Sequence, residues 1–337
     1  MTQRTNTDGR PRIHLVGSLG GHLELLEQLA PALSAYDLVW VTSVGAKSEA
    51  LARSGQTVRL VPRLDRTSLT LRTLRRTATV AWRERPRLVI TSGAGLAIPF
   101  CAAARAQGAR LVFVETMARV TSGSATGRLL SRFSEEMVVQ WPELTAVYPG
   151  AKVCRPALLD QVDAVGGQSG AGTFVTFGSH DQPFGRLMDA VRQAAADGLL
   201  PSPITVQSGH TPADGHDDGI KYVPYMPPEA FRARVSAAEV VIAHGGAGAI
   251  ATALRAGKRP IVMRRRVERG EHVDDHQDEI VNKLAELGLI VRADRGIGSD
   301  EVRRTGEATR PPSELRRYPS VTEHVAGIVD RALQPAG

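Results

Sequence analysis

The 337-residue chain carries only two cysteines, Cys101 and Cys154, and neither belongs to a C-x-x-C spacing. A disulfide framework and a cysteine zinc site are therefore excluded, and a reducing compartment is the expected setting. Aromatic residues make up 4% of the sequence, too few for the stacking platform on which single-stranded nucleic acid is held, and no nucleic-acid reader motif occurs. No run of about eighteen apolar residues is present that could cross a bilayer, and the opening MTQRTNTDGRPR has no apolar signal core. The expectation is a cytoplasmic protein, soluble or peripheral on the inner face of the membrane. The early glycine cluster GSLGG lacks the G-x-G-x-x-G spacing of a dinucleotide site, so no cofactor is expected.

What the chain does contain is alternation. Apolar runs at Ile13–Val16, Leu38–Val41, Val58–Val61, Leu88–Ile90, Leu111–Val114 and Met137–Val139 are separated by helical patterns, as expected of parallel strands with crossover helices. Between Tyr148 and Gly172 the pattern dissolves into Pro, Gly, Ser and Gln; a second alternation starts at Thr173. The length suits about two domains of about 150 residues each. The expected division is a Rossmann-like domain over 11–155, a linker over 156–172, a second Rossmann-like domain over 173–319, and a closing helix over 320–334 near the junction. The fold class is α/β, with two such domains facing a cleft.

The most informative stretch is Val241–Gly248, VIAHGGAG, where a buried apolar run ends in His244, Gly245, Gly246 and Gly248 ahead of a small-residue helix. A helix N-terminus presents unpaired N–H groups and positive dipole potential to one spot, which suits a diphosphate. The glycines alone equally serve tight strand–helix packing, and His244 alone equally suits a strand-end structural role. About 25 residues further on, GEHVDDHQ at 270–277 places hydrogen-bonding side chains at a second helix start. Two further glycine turns, at 17–21 and 92–95, follow strands of the first half, and parallel α/β sheets gather such loops at one edge.

These motifs carry a resemblance. GSLGGHLELL, RPRLVITSGAGLAIPFCAAAR, VFVETMARV, SATGRLLSRF and VVQWPELTAVYPGAK resemble the membrane-recruiting subunit of the eukaryotic two-subunit N-acetylglucosaminyltransferase that extends dolichyl-diphosphate-GlcNAc. VTFGSHDQPFGRLMDAV, VQSGHT, VIAHGGAGAIATALRAGKRPIVMRR and GEHVDDHQDEIVNKL resemble its catalytic subunit. The two subunit types look fused, and both are similar to the glycosyltransferase that completes lipid II. The resemblance implies a GT-B-type fold and an inverting, metal-independent transfer of a hexose or N-acetylhexosamine from a UDP-sugar. The implied acceptor is a lipid-linked saccharide in surface polysaccharide assembly, or alternatively a small-molecule saccharide. It also implies that Ser179, His180, His244 and the amides of Gly245, Gly246 and Gly248 meet the diphosphate. Glu271, His272, Asp275, His276 and Gln277 would line the uridine and sugar side, with Gln277 toward sugar hydroxyls. Inversion needs a base with a pKa near the working pH. His22, which matches the His of the GGH loop in the lipid II enzyme, is the first candidate; Glu115 is the second. A structural cap at His22 and a plain charged-loop role at Glu115 stand beside these readings.

Rival readings come from charge and residue type. The formal net charge is +7, and arginines 63, 66, 72, 75, 76, 83, 85 and 87 crowd one stretch with Leu69, Leu71, Leu74, Val80 and Trp82 interleaved. This pattern fits contact with an anionic membrane surface as well as a solvated helix face. A non-catalytic membrane-recruiting scaffold would explain the first half but predicts no nucleotide site in the second, and no nucleic-acid partner is expected. His272, Asp274, Asp275 and His276 have the residue types of a metal-dependent hydrolase. Three consecutive positions at a helix start do not converge on one ion, and helix capping accounts for part of the cluster.

Overall fold

The computed structural model describes residues 10–64, 70–167, 170–178, 182–213, 219–271 and 276–333, with the side chains of His276 and Gln277 outside that description. The chain divides into two compact units, Met1–Ala157 with Arg316–Gly337, and Leu158–Leu315.

In the first unit seven parallel strands run β1 Arg12–Val16, β2 Asp37–Thr42, β3 Thr57–Leu60, β4 Leu88–Thr91, β5 Arg110–Val114, β6 Glu136–Val139 and β7 Lys152–Val153, ordered β3-β2-β1-β4-β5-β6-β7. In the second, six parallel strands run β8 Thr173–Thr176, β9 Ile204–Gln207, β10 Ile220–Val223, β11 Val240–His244, β12 Ile261–Met263 and β13 Val291–Arg292, ordered β10-β9-β8-β11-β12-β13. Both orders start in the middle of the sheet and reverse direction there, between β1 and β4 and between β8 and β11. At such a switch point the loops leaving adjacent strands splay to opposite faces and leave a crevice at the carboxyl edge.

The central strands are buried along nearly their whole length because helices cover both faces. Ile13, Leu15, Ile90, Val112 and Val114 face one core and Val16, Val41, Val89, Phe113 and Val139 the other. The closing helix Val321–Leu333 puts Val321, Val325, Ile328, Val329 and Leu333 into the first of these cores, beside Leu25, Leu29 and Leu33. Full burial of five such side chains is worth about 1.5–3 kcal/mol each, so this helix is an integral layer of the first unit. Residues 156–172 are not featureless: Ala157–Gln161 form a short helical turn, and Val165 pairs with Thr309 inside the second unit. Cys101 and Cys154 are buried and form no disulfide, and burial pushes the Cys101 thiol far up. No described helix is long and apolar enough to cross a membrane.

Candidate active site

In the second unit the loops after β8 and β11 meet at the switch point. His244 ends β11, and the helix Ala247–Arg255 begins three residues later, with Gly246 at its N-cap and no described side chain capping its first turn. Those first-turn amides have no helical acceptor by construction, so an anion could satisfy them. The imidazole of His244 is half-buried, and its Nδ1 faces the Thr176 carbonyl at 3.4 Å. The turn is built around this ring. A Cβ on Gly246 would lie 2.2 Å from His244 Nε2, and a Cβ on Gly178 would lie 2.5 Å from the same ring. Gly178 also sits at φ +77, where L side chains are strained. These glycines make room for the imidazole: the ring takes the space that side chains would occupy.

A guanidinium that the sequence did not single out organises the base of this region. Arg265 is 1% exposed. Its Nη2 donates to the Phe177 carbonyl at 3.0 Å, and its Nη1 donates to the carbonyls of Gln182 at 2.6 Å and Glu271 at 3.0 Å. The cation stacks over the Phe184 ring, 4.8 Å from its centroid. Beside it, Arg186 forks onto the Glu271 carboxylate through Nε at 3.2 Å and Nη2 at 2.9 Å, while the Arg266 amide donates to Glu271 Oε2 at 2.9 Å. Glu271 was expected to line the uridine and sugar side. Its carboxylate is instead buried and committed to Arg186 and Arg266, because an unpaired buried charge would cost several kcal/mol. The one available signal for Arg265 was its position: a charged residue two places past the fully buried β12.

Ser179, His180, His272 and Asp275, all expected at the donor, lie outside the described residues, as does Asp274. His276 and Gln277 open the helix His276–Glu286; their side chains are not described. Gly245 is in the turn, whereas Gly248, expected ahead of the helix, lies within its first turn because the helix starts at Ala247.

In the first unit the corresponding crevice lies between β1 and β4. His22, half-buried in the first turn of the helix Gly21–Leu29, places Nδ1 2.8 Å from the Ser92 carbonyl; Ser92 Oγ donates back to the His22 carbonyl at 3.0 Å. A carbonyl can only accept, so Nδ1 carries the proton and Nε2 is the basic nitrogen of the neutral ring. A helix N-terminus further disfavours the imidazolium. Both features suit a general base.

Glu115 is different. It is 0% exposed; Oε1 accepts from the Thr116 amide at 3.1 Å, and Oε2 accepts from the Ser124 amide at 3.0 Å and the Tyr148 hydroxyl at 2.8 Å. Burial and the adjacent carboxylate push the Tyr148 phenol well up, keeping it a donor. Satisfied on every side and closed to solvent, Glu115 fixes the loop between β5 and the helix Ala125–Leu130 and does not present a carboxylate to substrate. The expectation of Glu115 as the alternative base is corrected accordingly.

Part of the arginine-rich stretch forms the helix Leu71–Glu84, started by a Thr70–Thr73 capping box, while Arg66 and Leu69 lie outside the described residues. Arg72, Arg75, Arg76 and Arg83 line a groove of about 930 Å³ with Val44, Leu60, Val61 and Leu71. Val44, Leu60, Leu71, Trp82, Leu129 and Phe133 are exposed large apolar residues of this unit.

Comparison with known proteins places family resemblance on both units. Residues 62–156 match the family described as oligosaccharide biosynthesis protein Alg14 like, and residues 170–293 match the glycosyltransferase family 28 C-terminal domain. The human UDP-N-acetylglucosamine transferase subunit ALG14 is 36% identical over 73 residues, covering 20% of this chain and 34% of that protein. The match thus spans about a third of the length of the curated relatives. Among solved structures, Acinetobacter baumannii MurG superposes with a TM-score of 0.62 at 16% identity, covering 95% of this chain and 99% of that one. The S. aureus MnaA–UDP co-structure gives 0.65 at 13% identity, covering 96% of each. The chain has the two-unit Rossmann-like fold of these proteins, and it joins a segment similar to the Alg14-like family to one similar to the glycosyltransferase family 28 C-terminal domain.

Proposed function

We propose that this chain, with its Alg14-like segment and family 28 domain in one polypeptide, is an inverting, metal-independent glycosyltransferase. It moves a hexose or N-acetylhexosamine from a UDP-sugar to a lipid-linked saccharide. The observation that carries the reading is the β11 turn, where uncapped first-turn amides and His244 share one crevice inside the family 28 match. As the anomeric bond breaks, negative charge gathers on UDP, and preorganised main-chain donors stabilise it without reorganisation and without a metal. Ser179, His180, Gly245, Gly246 and Gly248 belong to the diphosphate contact, and His272, Asp275, His276 and Gln277 to the uridine and sugar side. Glu271 supports that side through its ion pair with Arg186. His22 Nε2 takes the acceptor hydroxyl proton as the new glycosidic bond forms, and Nδ1 is held by Ser92.

The acceptor side follows from the first unit. Arginines rimming an apolar groove, with Trp82 and Phe133 exposed, match an anionic head group joined to hydrocarbon. This supports peripheral attachment at an anionic membrane surface, where a polyprenyl-diphosphate acceptor is presented.

The test is thermal unfolding with UDP-glucose, UDP-galactose, UDP-GlcNAc, UDP-glucuronate and UDP. A ligand at a hundred times its dissociation constant adds about 2.7 kcal/mol. At least one should stabilise the native chain, and His244→Ala should lose the effect. No response to any uridine nucleotide overturns the reading.

A further inference from the structure

Two loops of the second unit carry the residues proposed to meet the donor: the segment after β8, with Ser179 and His180, and the segment after β12, with Glu271 to Gln277. They are distant in sequence and anchored by one side chain. Arg265 donates to Phe177 and Gln182, which bracket the first loop, and to Glu271, which opens the second. The sequence separations of the first two contacts are 88 and 83 residues.

We propose that Arg265 is a positioning residue for donor binding: it fixes the bases of both loops to each other, so that one nucleotide meets both in register. The inference rests on the UDP-sugar reading above.

Geometry favours a guanidinium for this task. Three carbonyls in different directions demand a planar fork with divergent N–H groups, while the Phe184 ring covers the cation's face. An ammonium is a point donor on a flexible stem and cannot span the same three acceptors. Arg186 reinforces the arrangement from the other side, donating to the Arg264 carbonyl at 2.6 Å as well as to the Glu271 carboxylate. Arg265 makes no claim on substrate; it acts through the loops it holds.

A second buried guanidinium supplies the control. Arg259 is 7% exposed and donates from Nη1 to the Arg304 carbonyl at 3.1 Å and Glu307 Oε2 at 3.3 Å, neither of which belongs to either loop. UDP affinity by calorimetry and thermal midpoint are measured for the native chain, Arg265→Lys and Arg259→Lys. Hydrogen bonds from a charged donor are worth roughly ten- to a hundredfold in an equilibrium constant. Arg265→Lys is therefore expected to weaken UDP roughly ten- to a hundredfold, out of proportion to its midpoint shift, whereas Arg259→Lys lowers the midpoint and leaves UDP affinity within about twofold. Millimolar guanidinium ion should recover part of the UDP affinity of Arg265→Ala and none of that of His244→Ala. Unchanged affinity in Arg265→Lys, affinity loss in both lysine variants in step with stability, or failure of Arg265→Lys to fold each reduce Arg265 to a structural residue and overturn the proposal. Failure of the native chain to bind UDP is the separate result that removes the donor reading itself, and this inference with it.

Discussion

Gly246→Ala isolates the packing of His244 into the β11 turn. Gly246 sits at φ −74, ψ 127, a conformation open to alanine, so the backbone itself opposes the change little. The new Cβ, however, falls 2.2 Å from His244 Nε2 and 2.9 Å from Cδ2, which is about 1 Å or more short of ordinary contact. Either the imidazole leaves its place against Thr176 or the first helical turn shifts. Overpacking of this kind costs about 1–3 kcal/mol of stability, and a displacement near 1 Å at a binding turn costs on the order of a hundredfold in catalytic efficiency, about 2.7 kcal/mol. Part of the stability loss comes from the weaker N-cap preference of alanine, so a double-mutant cycle is needed. In a His244→Ala background the methyl enters vacated space, and the same substitution should cost less than about 1 kcal/mol, leaving a coupling energy of about 1 kcal/mol or more. Chemical denaturation of the four chains measures the coupling, and UDP calorimetry reports the turn. Equal costs in the two backgrounds would show that the imidazole is not what the glycine accommodates; intact UDP affinity in Gly246→Ala would remove the turn from the donor site.

Two further outcomes follow from the first unit. His22→Gln should cut kcat by roughly 10²–10⁴-fold, the usual worth of a positioned base, while leaving UDP affinity unchanged; steady-state rates beside calorimetry separate the two, and a kcat near native would transfer the base role elsewhere. On the acid side, buried His14 on β1 has its pKa lowered chiefly by desolvation, and Glu84 is held at about 2, first by its hydrogen bond with His14 and also by Arg59. Both shifts make the unfolded chain bind more protons in acid, so stability falls as pH drops below about 6.5 for His14 and again from about 4.5 toward 2 for Glu84. Denaturation midpoints of His14→Gln across pH 7 to 5 should show a flatter slope than the native chain; a steeper one refutes the assignment.

The central strands and the glycine turns were legible because their determinants are local: an apolar run followed by small residues is the same signal in sequence and in space. The limit shows even there: the spacing of Leu23, Leu26, Leu29 and Leu33 suits one continuous helix, yet the helix Gly21–Leu29 gives way to a tighter turn over Ala30–Leu33, where Pro31 cannot supply an amide donor. The two-residue edge strand β7 has too few positions to show any period. The site was legible only where its parts adjoin. His244 and Gly246 are two residues apart and were read together; the approach of Gly178 to the same ring spans 66 positions and left no trace in either segment. Glu115 makes the point most sharply. Its position at the end of a buried strand is what a reacting carboxylate would show, yet its role is set by Ser124, nine residues on, and Tyr148, thirty-three on. Sequence places a charge at a sheet edge but does not say whether the fold satisfies it, and satisfaction separates a carboxylate that braces a loop from one that takes a proton. His22 differs from Glu115 here: it is only half-buried, and its contact with the Ser92 carbonyl engages Nδ1, the nitrogen that the proposed base role does not use.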